Sequence, residues 1–201
     1  MRDVRVHVAP TGNAFMADIA AWLVEAAELC GRAAALVDDG SLPSDPAATN
    51  LVVAPHEFYL LTGGTDGEID RATRLSVPVC TEQPGTTWFE QTSELCRRSP
   101  FVLDINPHGL DALAAVGHDA VHLRLGGVPS MDRRGSDRDR DVLFLGGRTR
   151  YRAERLASLG PILWEHHADL RLFTFSRPVG RGVDGLVFGT EKYDLLARSR
   201  I

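Results

Sequence analysis

Short apolar runs alternate with longer stretches of helical periodicity along nearly all of this chain, which restricts it to βαβ units wound about a parallel sheet. Six runs read as strands: Arg5 to Ala9, Ala33 to Val37, Leu51 to Ala54, Val77 to Thr81, Phe101 to Ile105 and Ala120 to Leu125. Residues 13–30 form an amphipathic helix between the first two, with Phe15, Ile19, Trp22, Leu23, Ala26 and Cys30 at helical spacing. Asn13 caps it and Gly31 closes it. His56 to Leu61 begins a short helix that Gly63-Gly64 and Asp66-Gly67 interrupt. Residues 86–98, with Trp88, Phe89, Thr92, Leu95 and Cys96 on one side, and Gly109 to Val116 supply two more. The expectation is an α/β, doubly wound parallel-sheet domain over residues 1–128.

Pro129 to Arg140 is polar, with alternating Asp and Arg, and has the composition of a linker. The pattern then restarts at Asp141-Val142-Leu143-Phe144-Leu145-Gly146-Gly147. A strand over Val142 to Leu145, a Gly-Gly turn, a helix over 150–164, a strand over Leu170 to Phe175, a Gly-rich stretch and a helix over 191–199 fill residues 141–201. Two parallel strands leave apolar faces and edges uncovered, so a second domain is expected to begin here without being completed.

Charge and cysteine usage narrow the function classes. A net charge of -5 argues against a general nucleic-acid binder, whose affinity rests on neutralising phosphates. No apolar run approaches the roughly 20 residues that span a bilayer. Cys30, Cys80 and Cys96 are widely spaced in apolar stretches, the pattern of free core thiols in a reducing cytoplasm.

In open parallel sheets, ligands bind beyond the carboxyl ends of the strands, where helix N-termini present unpaired amides. The candidates are Thr11-Gly12-Asn13, Asp38-Asp39, His56-Glu57, Glu82-Gln83, Asp104 with Asn106 to His108, and Gly146-Gly147-Arg148. Arg148, Arg150 and Arg152 crowd a helix start, where the macrodipole disfavours cations and a bound anion would relieve them. Arg148 and Arg152, four apart, would share a helical face and reach one diphosphate while the glycines admit it to the backbone. Alternatively these arginines point to solvent or pair with Asp141 and Glu154. His56 and Glu82 are the candidate general bases, each equally readable as a hydrogen-bonded structural residue. Thr11-Gly12-Asn13 lacks the glycine spacing of a dinucleotide fingerprint, and neither His118 with His122 nor His166-His167 has the placement of a metal pair. Asp137-Arg138-Asp139 has D-x-D spacing but lies in the charged run and reads as solvated.

Three stretches carry a family resemblance. Val79-Cys80-Thr81-Glu82-Gln83 with Val102-Leu103-Asp104, the restart at Asp141 to Gly147 with Arg152 and Leu156, and Tyr193 to Ile201 resemble the bacterial B-fold glycosyltransferases, in particular the spore-maturation-type group. The resemblance implies two Rossmann-like domains, the second incomplete, and transfer of a sugar from a nucleotide-sugar to an acceptor hydroxyl without metal or cofactor. It implies that Gly146, Gly147, Arg148 and Arg152 hold the donor diphosphate. Gly12, Asn13, His56, Glu57, Glu82 and Gln83 would face the acceptor. Ile201 comes before the region where this family places most donor contacts, so partners would include the missing C-terminal region or another copy. The rival expectation is a non-catalytic, regulatory or partner-completed half, and a more distant one is a periplasmic-binding-type sensor.

Overall fold

The computed structural model describes residues 2–133, 137–173 and 186–200, in two compact units, Met1–Gly126 and Gly127–Ile201. In the first, six parallel strands are ordered β2-β1-β3-β4-β5-β6: β1 Val4–His7, β2 Ala34–Val37, β3 Thr49–Val53, β4 Ser76–Cys80, β5 Val102–Asp104 and β6 Ala120–His122. Five helices connect them: α1 Ala14–Leu29, α2 Pro55–Thr62, α3 Asp66–Arg74, α4 Thr87–Cys96 and α5 Pro107–Ala115. Val53 pairs in register with Val79 and Val79 with Leu103, and these side chains join Val6, Val8, Met16 and Ile19 under α1. Alternation sends Val52, Cys80 and Val102 to the opposite face, against Phe58, Cys96 and Leu113 of α2, α4 and α5. Helices thus cover both faces, as a Rossmann-like sheet requires.

Some local expectations are corrected. Asn13 does cap α1, accepting from Phe15 N at 3.0 Å, but the buried stripe is Ala14, Met16, Ile19 and Ala20, while Phe15 is exposed and Cys30 lies open at the C-cap. The helix is apolar on more than one stripe, so periodicity could not choose; the small Ala14 and Ala20 let it sit close to the sheet. The glycines after α2 do not prevent a helix. Thr65 and Glu68 form a capping box that starts α3, with Gly67 inside its first turn, where a glycine weakens a helix least.

The second unit holds β7 Leu143–Gly147, α6 Arg150–Ser158, α7 Gly160–Glu165, β8 Asp169–Phe173 and α8 Gly189–Ala197. Gly146 and Gly147 are the last two residues of β7, not a turn: they pair with Leu172 and Phe173 of β8. The expected single helix over 150–164 is divided at Leu159, because Pro161 has no N–H to continue the ladder. The strand expected over Leu170 to Phe175 begins at Asp169, and its last two residues lie outside the described ones. The end of the stretch expected as a linker is held by ion pairs, Asp139 to Arg198 and Arg140 to Asp169, and just beyond it Asp141 meets Arg200 at 2.8 Å. Arg140 also pairs in parallel with Ser199 beyond α8.

Candidate functional site

Strand order decides which strand ends become neighbours. With β2 on one side of β1 and β3 on the other, connections leave β1 and β3 in opposite directions, the switch point where open sheets bind ligands. Gly12 and Asn13 follow β1, Ala54 to Glu57 follow β3, and Glu82 follows β4. The structure therefore brings together five of the six residues expected to face an acceptor.

Glu57, in the first turn of α2, is buried and accepts the Asn13 backbone N–H at 2.8 Å. Gly12 has to be glycine for space: a Cβ there would lie 2.3 Å from Glu57 Oε1 and 2.9 Å from the Ala9 Cβ. His56, 8% exposed, is fixed on two sides, by Thr92 Oγ1 at 2.9 Å from Nδ1 and by the Trp88 ring at 5.6 Å between centroids. Its Nε2 lies 3.6 Å from Glu82 Oε1, too far for a hydrogen bond. Ahead of both, fully buried Ala54 takes left-handed φ and ψ of 49° and 67°. A non-glycine residue held there stores strain of about 1–3 kcal/mol, the kind concentrated at functional joints. Gln83 contributes only its carbonyl, which accepts from Thr86 Oγ1 at 2.9 Å; its side chain is exposed.

The electrostatics follow from desolvation. A carboxylate at 3.6 Å favours imidazolium, but burial opposes it and wins, pushing His56 down to about 4, so the ring is neutral at pH 7. Burial also raises Glu57, opposed by the Asn13 amide and reinforced by the negative charge of Glu82. Glu82 is raised by burial alone. Among the described residues neither glutamate pairs with an arginine or lysine.

The other strand ends serve the fold. Asp104 is fully buried, one carboxylate oxygen accepting Asn106 N at 2.7 Å and the other without a partner; burial pushes it up to about 6. A Cβ on Gly109 would lie 2.0 Å from that second oxygen, so the carboxyl faces α5 and not a ligand. Asp39 turns the chain by accepting Ser41 N at 2.9 Å. His7 and Asn50, joined at 3.2 Å, anchor the loop between β2 and β3 through the Ser41 and Asp45 carbonyls. Their signal in the sequence was a polar residue inside an apolar strand. Thr92, by contrast, sat in an apolar helix face with nothing to mark it as the partner of His56.

At the restart, Arg148 and Arg152 do not share a helical face. Thr149 caps α6, accepting Arg152 N at 3.2 Å, which leaves Arg148 ahead of the helix with its N–H on Phe173 O. Arg152 folds back to donate to Gly147 O at 2.9 Å, and its guanidinium and the Phe144 ring occupy the room a Gly146 side chain would take. Arg150 pairs with Glu154 at 2.8 Å. Of the three arginines, Arg148 alone makes no side-chain ion pair or hydrogen bond among the described residues.

Among the described residues no three His, Cys, Asp or Glu side chains are grouped to hold a metal ion, and no helix is long and apolar enough to cross a membrane. The fold defines an α/β protein with a Rossmann-like six-stranded parallel sheet. No family model, curated protein or solved structure matches the chain significantly.

Proposed function

We propose that this chain takes part in metal-independent transfer of a sugar from a nucleotide-sugar to an acceptor hydroxyl, with the acceptor bound at the β1/β3 switch point. The observation that carries this reading is the 3.6 Å gap between His56 Nε2 and Glu82 Oε1. A ligand hydroxyl bridging that gap would make hydrogen bonds of about 2.8 Å to both. Glu82, whose burial raises its proton affinity, accepts the hydroxyl proton as the oxygen attacks the anomeric carbon. His56, oriented by Thr92 and Trp88, positions that oxygen. The nucleoside diphosphate leaves that carbon with the electron pair of the broken C–O bond as the new one forms.

The test is release of nucleoside diphosphate from a panel of nucleotide-sugars with hydroxyl acceptors. Glu82→Gln should lower kcat by about 10²–10⁴ with little change in KM for the donor. Equal turnover by Glu82→Gln would remove Glu82 as base, and no turnover of any donor would remove the transferase reading. Saturable acceptor binding without turnover would instead favour a non-catalytic binding module built on the same site.

A further inference from the structure

At a switch point the first helix usually offers free backbone amides to a phosphate, and a glycine lets the anion approach. Here four of the amides around the start of α1 are already engaged by the protein. Gly12 N donates to Ala9 O at 3.2 Å, Asn13 N to Glu57 Oε1 at 2.8 Å, Phe15 N to Asn13 Oδ1 at 3.0 Å and Met16 N to Asn13 O at 2.9 Å. The room that Gly12 provides is filled by the Glu57 carboxylate itself, 2.3 Å from where a Cβ would stand. Beside it lies a second carboxylate, Glu82, close enough to raise Glu57, and no arginine or lysine among the described residues pairs with either. His56 Nε2, on a side chain nine-tenths buried, is held toward the same place without a hydrogen bond.

We infer that Glu57 occupies the anion seat of this site, so that the acceptor bound there carries no phosphate and meets the protein through hydroxyl or amino hydrogen-bond donors. The inference rests on the acceptor reading of the first unit and adds to it the class of acceptor. An incoming phosphate would have to displace one buried carboxylate and lie beside another, losing the Asn13 bond and gaining like-charge repulsion. An ammonium group, or two hydroxyls of one acceptor, would supply a donor to each carboxylate.

Inorganic phosphate tests this without a donor substrate or turnover, so the result is readable even if glycosyl transfer fails. Phosphate is titrated into the full chain while the amide resonances of Gly12 and Asn13 are followed by NMR. The wild type should show no saturable shift. Glu57→Ser, which empties the seat and leaves Gly12 in place, should bind phosphate at least about tenfold more tightly than wild type. Glu57→Gln, which keeps an oxygen on Asn13 N, should stay as blind to phosphate as the wild type. Saturable phosphate binding at these amides in the wild type, or no gain in a Glu57→Ser protein with native amide dispersion, overturns the inference. If Glu57→Ser does not fold, the wild-type and Glu57→Gln titrations decide it: saturable shifts at Gly12 and Asn13 in either overturn it.

Discussion

The two units solve the same βαβ problem with different materials. Val6, Ile19, Val52, Phe58, Val79 and Leu113 of the first are at or near zero exposure, whereas the buried hydrophobics described in the second are Val128, Val187 and Leu195. The second instead leaves Ile162 and Trp164 exposed, the latter at 85%, and ties its chain with Arg140–Asp169, Asp139–Arg198 and Asp141–Arg200. Apolar burial contributes about 25 cal/mol per Å², while an exposed ion pair contributes about 0–1 kcal/mol. The difference explains where buried polarity is tolerated: a strained Ala54, a neutral His56 and an Asp104 whose proton affinity burial has raised all sit in the unit whose core can offset their cost.

The largest expected effect breaks the comparison at its core. Phe58→Ala should destabilise the first unit by about 3–5 kcal/mol, and Leu145→Ala in half-buried β7 by less than half as much; urea midpoints read from amides of β3 and β7 measure both. Equal losses would mean the second unit has a core of comparable weight.

Acidity gives effects of about 3 kcal/mol with opposite signs. Folded Asp104 holds a proton up to about pH 6 that the unfolded chain loses near 3.8, so its contribution falls as pH rises through that window. His56 titrates at about 4 when folded against an ordinary 6.5, so the unfolded chain gains a proton first and stability falls as pH drops from about 6.5 to about 4. The two slopes oppose each other. Asp104→Asn should therefore lose stability on acidification from pH 6.5 to 4 more steeply than wild type, and His56→Gln should lose it on raising the pH over the same range. Thermal melts across that range that are parallel for all three proteins would sink the assignment.

The smallest expected change sharpens the description of the second unit. Arg140→Gln removes the pair with Asp169 but leaves the backbone bridge to Ser199, and should cost less than about 1 kcal/mol. Because that pair is partly exposed, the gap to wild type should close in 1 M salt. A gap that persists at high salt would show that packing of the arginine stem matters more than its charge.

What was legible in the sequence follows from what is local. The six strands, the Asn13 cap and the candidate strand ends are short-range patterns, and they single out Gly12, Asn13, His56, Glu57 and Glu82, which the fold places side by side. Thr65 and Glu68 offered an equally local signal for α3, obscured by the glycines around them. The pairing of Asn13 with Glu57, 44 residues apart, depends on β3 lying beside β1, which no local pattern encodes. The same holds for Thr92 and His56, 36 residues apart. Gly146-Gly147 misled for a different reason. Glycine marks both turns and strand positions where a neighbour approaches closely, and here the neighbours are the Arg152 guanidinium and Phe144 ring.

Trp88 lies over His56 at 5.6 Å and is half open to solvent. Protonated imidazole quenches indole fluorescence by electron transfer, while neutral imidazole does so weakly. With Trp22 and Trp164 replaced by Phe, the remaining emission should therefore dim as His56 gains a proton near pH 4. In that single-tryptophan protein, a ligand that parted the two rings would register by light alone, with no label and before any product is formed.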